Sequence, residues 1–456
     1  MDVLSVFMSD ILFHYYRVNP TTWFYLASLL SIALFFKFNR VLSVRNLDLV
    51  GLILLAPGLL AVEYGGYKAS MAAQQLGFIW IFTVSGIFLL RLLFDSNMVR
   101  RPMLEPNLSV GGLTFLGISL LVFLLANVVT TRPQSEDLAA AATATKLEAG
   151  EGHVDADQLT RLGPGYPLLF LLPQISTQRI FTPEPDPSRA ETAASTRRAV
   201  HETTARIMAI LSQLAIVSGM VLIGWWHFDN IRLGIAAAVL YLLLPYTAIM
   251  TGRVDHVLPG ALITWAVVTY RRPFTAGSLI GLAIGAIYYP IFLLPLWCAF
   301  YWERGIRRFT LGVVSALLVL VIALWFTSPD NGTFIDQLRQ MFGWIFPNDV
   351  SLEGFWALPG NDAVFRLPVL AAFIAMMATL AIWPSPKNLG TLMSCTAAVL
   401  VGSQFWKAHD GGLFMAWFLP MLLLVIFRPN LENRVALLVL DANWFPRRRQ
   451  SSGETT

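Results

Sequence analysis

Three ionisable side chains, Arg253, Asp255 and His256, crowd into Thr251-Gly-Arg-Val-Asp-His-Val-Leu-Pro-Gly260, a short polar segment between two apolar stretches. Ionisable groups near membrane depth are costly and tend to be functional. A guanidinium there can hold a phosphate through charge-assisted hydrogen bonds. Asp255 can take a proton from a hydroxyl or orient His256. The bland alternative is a solvated turn with an Arg–Asp pair. A second group, Lys407, His409 and Asp410, closes another apolar run and is followed by Gly411-Gly412. His409 there can bind phosphate or pass a proton; the bland alternative is an interfacial turn. Tyr288 and Tyr289 precede Pro290. They read as substrate contacts or as members of an aromatic belt.

Acids offer a further kind of chemistry. Between Thr130 and Arg206 lie ten acidic residues against eight basic ones, more than a third of the chain's 28 acids. Transfer of a glycosyl group to a hydroxyl needs one carboxylate to deprotonate the acceptor. Glu136 and Asp137 follow closely on an apolar run, so they stay near the membrane plane. Asp155 and Asp157 precede the apolar run 166–172. Any one of these acids also reads as a solvated loop charge. The residues alone single none of them out.

The elements that must position these residues follow from composition. The chain has 456 residues, 56% hydrophobic and 13% charged, with mean hydropathy +0.62. A soluble protein carries about 25% charged residues. A soluble multidomain enzyme and the disordered or fibrous classes are excluded. The expected fold is all-α, a polytopic transmembrane bundle. A span needs about 20 mostly apolar residues. Candidate spans are 23–36, 49–62, 78–93, 112–129, 207–226, 233–250, 257–270, 277–288, 291–302, 311–326, 367–383, 389–405 and 413–427, about thirteen. The pair flanking Tyr288-Tyr289-Pro290 is short and could be one kinked helix or a re-entrant hairpin.

With thirteen spans, the loops holding Lys37, Arg40 and Arg45, then Arg91, Arg100 and Arg101, Arg271 and Arg272, Arg304, Arg307 and Arg308, Lys387, Arg428 and Arg447 to Arg449 all fall on one side. The positive-inside rule makes that side the cytoplasm, with the N-terminus outside and the C-terminus inside, in a bacterial plasma membrane on the reading below. The two long outer loops are then 130–206 and 327–366. The apolar run at 166–172 is too short to span and reads as an interfacial or re-entrant piece. Domains are expected as accessory spans over 1–110, a main transmembrane domain over 111–428 and a basic tail over 429–456.

Several motifs are structural or lacking. Gly277, Gly281 and Gly285 repeat every fourth residue, the pattern of close helix packing. Cys298 and Cys395 lie in apolar runs and read as small buried hydrophobes. Trp225, Trp226 and Trp302 read as interface anchors. The start Met-Asp has no basic region typical of a cleaved signal, so the first span is expected to stay in the membrane. The sequence holds no Walker A, HExxH or GxSxG motif. No basic stripe with interleaved aromatics points to nucleic acid. No ligand spacing calls for a metal, although the acids are compatible with a divalent cation.

The segment 251–308 carries a family resemblance. It runs from the polar turn Gly252-Arg-Val-Asp-His256 through Arg271-Arg-Pro273 and Gly277-Ser-Leu-Ile-Gly-Leu-Ala-Ile-Gly285 to Tyr288-Tyr-Pro290 and a basic turn. It resembles the polyprenyl-phosphate-sugar-dependent glycosyltransferases of the GT-C type, in particular the bacterial mannosyltransferase-like branch. Gly165-Tyr-Pro-Leu-Leu169 and Trp417-Phe-Leu-Pro420 extend the resemblance, which covers roughly 111–428. It implies a lipid-phosphate sugar donor used at the outer face, with an acid of the first large outer loop as base. That role falls on Glu136, Asp137, Asp155 or Asp157. Many relatives carry Lys where Tyr288 stands.

The expected function is a membrane glycosyltransferase that moves a sugar, mannose by the resemblance, from a polyprenyl-phosphate donor to an outer-face acceptor. Arg253, His256, Lys407 or His409 would hold the phosphate; Asp137, Glu136 or Asp255 would act as base. Membrane lipids are the other expected partner. The rivals are a cell-surface polysaccharide polymerase or ligase, a transporter and a non-enzymatic scaffold. A transporter should show midplane charge or broken helices in paired halves.

Overall fold

The computed structural model describes residues 19–97, 105–131, 133, 135–148, 165–171, 173, 190–328, 330–342 and 352–440. Asp155, Asp157, the segment 183–187, Trp344, Phe346 and the arginines at 447–449 lie outside the described residues. Among the described residues the named elements are helical, and strand-like pairing is confined to one isolated bridge, Asn388 to Val435.

The described residues open with α1 (Pro20–Phe35), α2 (Val44–Lys68) and α3 (Met71–Leu93). Asn19 caps α1 by accepting the Thr21 N–H, and Ser43 caps α2 through the Asn46 N–H. These caps satisfy N–H groups that a helix start leaves orphaned. Next come α4 (Val110–Thr130), α5 (Ser135–Glu148), α6 (Ala190–Trp226), α7 (Ile231–Leu243) and α8 (Pro245–Ile249). Then follow α9 (Val254–Val268), α10 (Pro273–Ala286), α11 (Leu294–Tyr301), α12 (Ile306–Thr327) and α13 (Asn331–Met341). The chain continues with α14 (Arg366–Ile382), α15 (Leu389–Trp406), α16 (Leu419–Phe427) and the single turn α17 (Ala436–Val439).

Six described helices are long and apolar enough to cross a membrane, and six shorter apolar helices accompany them. The protein is an integral membrane protein whose helices contact lipid. The apolar window of α15 is 94% buried inside the protein, and that of α4 only 22%. The first is therefore a central post and the second a lipid-facing wall, because a bilayer solvates an apolar face as well as a protein core does.

Helix contacts follow the small residues. The Cβ positions of Gly277 and Gly281 on α10 would strike the Phe309 and Val313 backbone of α12, and Gly285 stands against Leu320. From α12, Gly312 meets the Phe274 carbonyl in the same way. The fourfold glycine spacing thus serves backbone approach.

Some expected boundaries need correction and others are refined. The span 233–250 is broken: Pro245 cannot donate to the ladder, so α7 ends at Leu243 and α8 restarts. The spans 277–288 and 291–302 become α10, a 3-10 turn over Tyr289–Leu293 and the short α11. The span 413–427 shortens to α16 behind a 3-10 turn over Met415–Trp417. The first long loop holds α5 and the start of α6, so α6 begins well before 207. The second holds α13 and two 3-10 turns, Gly354–Ala357 and Ala363–Phe365. The run at 166–172 is seen as a helical segment over 165–171, with Tyr166 and Phe170 fully buried and Gly165 against the Gly285 carbonyl. Cys395 is buried and Cys298 half-buried. Trp225, Trp226 and Trp302 are exposed, as interface anchors would be.

The N-terminal spans are tied to the rest by charge. Arg91 of α3 reaches the two Asp48 oxygens of α2 at 3.1 and 3.2 Å and Asp95 at 2.7 Å. Asp95 also accepts from Arg428, just past α16, at 2.7 Å. Asp48, Asp95 and Arg428 are all buried. A buried charge persists only when paired and hydrogen-bonded, and here the pairs clamp the first helices to the end of the bundle.

Candidate functional site

At the other end of the bundle, α9 starts without help from its own N-cap: the Arg253 side chain makes no capping bond. The Val254 N–H instead donates to Asp137 Oδ2 at 3.3 Å. Asp137 sits in the first turn of α5, distant in sequence. A carboxylate at a helix N-terminus satisfies an orphan donor and meets the positive end of the helix dipole. The other oxygen, Oδ1, accepts from the Tyr166 hydroxyl at 2.8 Å. Asp137 and Tyr166 are completely buried.

Burial is the first cause that raises the Asp137 pKa, and the neighbouring Asp255 charge raises it further. The Tyr166 bond, the Arg253 charge and the Val254 N–H oppose the shift. The net direction is upward, because desolvation of a fully buried carboxylate outweighs two hydrogen bonds here. The Tyr166 phenol is also pushed well above its usual value, by burial first and then by Asp137.

Asp255 lies in the first turn of α9. Arg253 clasps it with two bonds, Nε to Oδ1 at 3.1 Å and Nη2 to Oδ2 at 2.7 Å. Such a bidentate pair fixes geometry as well as charge. His256 Nε2 lies 3.8 Å from Asp255 Oδ2, and its Nδ1 is 2.8 Å from the Tyr246 hydroxyl. That hydroxyl oxygen accepts the Ala416 N–H at 3.0 Å. With its oxygen so engaged, the phenol proton is available to Nδ1, and the imidazole proton to Nε2 on the Asp255 side. The imidazole stacks on Phe414 at 4.3 Å, and the Trp417 indole donates to the Asp255 carbonyl at 3.1 Å. The segment is therefore a buried helix start and not the solvated turn of the bland alternative: Asp255 and His256 are both buried.

Lys407 caps the C-terminus of α15. Its ammonium lies over three rings, Phe414 at 4.3 Å, Tyr289 at 4.8 Å and Trp417 at 5.5 Å. Cation–π contact compensates a desolvated ammonium in part. Burial lowers the Lys407 pKa to about 8, against the raising charges of Asp410, Asp255 and Glu353. Tyr289 stacks on Tyr288 at 4.2 Å and lies 5.3 Å from Trp406. Tyr289 is buried and Tyr288 half-buried, so both are part of the interior wall of the site and not a membrane belt.

The structure therefore brings together Asp137, Arg253, Asp255, His256, Lys407 and Tyr289, with Tyr288 behind. His409 is buried too, but faces Glu353 of the second long loop, with Nδ1 3.7 Å from Oε2. Glu136 is in α5, and its side chain lies outside the described residues. Among the described residues no three of His, Cys, Asp and Glu form a metal-holding group. Sequence reasoning missed Tyr246, whose one signal is its place after the helix-breaking Pro245, and Glu353, which has no local signal. Buried carboxylates, a guanidinium and an ammonium in one cluster can exchange a proton and hold an anion.

No family model matches the chain, and no solved structure matches it. The chain is 30% identical over 135 residues to NAD(P)H-quinone oxidoreductase chain 4 of Gloeobacter violaceus. That stretch is 28% of this chain and 24% of that protein, so the similarity spans less than a quarter of the relative's length.

Proposed function

We propose that the protein is a GT-C-like membrane glycosyltransferase of about thirteen passes that takes a sugar, mannose by the sequence resemblance, from a polyprenyl-phosphate donor. The observation that carries the reading is the meeting of a first-loop acid, Asp137, with Arg253 and Asp255 at the start of α9. The acceptor hydroxyl oxygen forms the new bond to the anomeric carbon as the bond from that carbon to the phosphate oxygen breaks. Asp137 takes the hydroxyl proton; a carboxylate with a raised pKa suits a base at neutral pH. Arg253 and Lys407 stabilise the leaving phosphate, and the bidentate bond to Asp255 holds Arg253 in place. The face carrying Asp137 is extracytoplasmic on this reading. The basic loops and the C-terminus face the cytoplasm.

The test substitutes Asp137→Asn and Asp255→Asn separately and assays transfer of labelled sugar from a lipid-phosphate donor in membranes. Loss of at least a hundredfold is expected for Asp137→Asn, the usual scale for a general base. Full activity in both variants would overturn the assignment.

A second reading makes the chain a membrane subunit of an assembly like that of the relative. It draws on the partial similarity and on the same buried ionisable groups, which inside membranes also form proton relays. Proteoliposome proton uptake that depends on Asp137, with no sugar transfer by the wild type, would favour it.

A further inference from the structure

At the end of the bundle opposite Asp137, a cavity of about 490 Å³ opens between α11, the end of α14, the linker after it and the turn α17. Its walls are largely apolar, with Cys298, Ala299, Ile382 and Leu437 among them. Lys387 supplies the cation. It is buried, and its ammonium donates to the Pro384 carbonyl at 2.9 Å. An ammonium has three donors; among the described residues this is the one bond it makes, and no carboxylate pairs with it. A buried cation without a counter-ion is costly. Burial also lowers its pKa from the usual amine value. An anion in the cavity would complete the site.

The rim says which anion. Trp302, Ile382 and Leu437 of the lining are all exposed, and so are Trp383 and Leu438, their neighbours in sequence. Exposed tryptophans and aliphatic chains belong at a lipid interface. Arg304 is held at the same place by its bond to the Leu437 carbonyl at 3.1 Å, and Arg307 and Arg308 follow it. Glu303, the carboxylate in the lining, is exposed at the rim, where solvent screens it. Basic pockets between transmembrane helices bind lipid headgroups. We infer that this cavity binds the headgroup of an anionic membrane glycerophospholipid, its phosphate on Lys387 and its acyl chains along Ile382, Leu437 and Leu438. The site is independent of the reaction proposed above.

Native mass spectrometry of the detergent-purified full chain tests it, with phosphatidylglycerol, phosphatidylcholine and inorganic phosphate as probes. Wild type and Lys387→Arg should retain phosphatidylglycerol, as should Arg271→Gln, which alters the same end outside the cavity. Lys387→Met should bind it about fivefold more weakly, the effect of one basic residue at an anionic headgroup. Leu437→Trp, which fills the apolar side, should weaken it as well and serves if Lys387→Met does not fold. Unchanged phosphatidylglycerol binding in these two variants overturns the site. Equal binding of phosphatidylcholine overturns the need for negative charge. Displacement by an equal concentration of inorganic phosphate overturns the lipid.

Discussion

Tyr166→Phe isolates the hydrogen bond that restrains the Asp137 proton. The Tyr166 hydroxyl donates to Asp137 Oδ1 at 2.8 Å in a fully buried setting. Phenylalanine keeps the ring and its packing on Phe170, whose centroid lies 5.1 Å away. A hydrogen bond to a charged group contributes about 1.5–3 kcal/mol, and one pKa unit corresponds to about 1.4 kcal/mol. The lost bond favoured the ionised carboxylate, so the Asp137 pKa should rise by roughly one to two units. The signature is the protonated carboxyl band in infrared spectra, assigned by its disappearance in Asp137→Asn and titrated in both proteins. This readout needs no substrate. Under the proposed reaction, the acid limb of the rate profile should move to higher pH by the same amount.

The stability of the fold should follow the same proton. The Asp137 pKa in the folded protein already stands above its ordinary value of 3.8. The folded state therefore holds this proton more tightly than the unfolded chain does. The associated stabilisation is full below the unfolded value and is lost as pH rises through the folded one. Tyr166→Phe extends that loss, so the melting difference between the two proteins should widen from acid to alkaline pH. A folded Tyr166→Phe protein whose carboxyl titration stays in place, or moves down, would refute the reasoning.

Two structural predictions accompany it. Arg91→Met removes both bonds to Asp48 and one to Asp95; breaking a buried ion pair should cost about 3–5 kcal/mol. In a thermal-melt cycle, Asp48→Asn should recover part of that cost, and simple additivity of the two variants would discount the pair. Gly277→Ala places a methyl group on the Phe309 carbonyl; overpacking of this kind costs about 1–3 kcal/mol. Melting unchanged from wild type would mean that α10 and α12 do not approach as closely as described.

What the sequence made legible divides along physical lines. Apolar runs report burial in lipid directly, so the all-α membrane class and the glycine face of α10 could be read from composition and spacing. Helix breaks were less legible. Pro245 stands in the middle of an apolar run, and hydropathy does not register a missing N–H. The site was legible in part because its residues occur in local clusters: Arg253-Val-Asp-His256 and Lys407 with His409 are visible as charges at the ends of apolar runs. Their surroundings were not. A charge beside an apolar run looks the same whether water or three aromatic rings surround it, and the ring cage over Lys407 is assembled from two segments distant in sequence, Tyr289 and the stretch Phe414 to Trp417. The same limit applies to Asp137. Proximity to the membrane plane favoured it over the other loop acids, but its partners are Tyr166 and the Val254 N–H. The Val254 N–H lacks a local cap because position 253 is an arginine engaged with Asp255. Asp137 thus occupies a place that an ordinary N-cap serine or aspartate would have filled from within the turn. The cap left open at α9 draws a loop acid into the interior. That makes the fold of the first long loop, and not the turn at 251–256 alone, the determinant of where the two carboxylates meet.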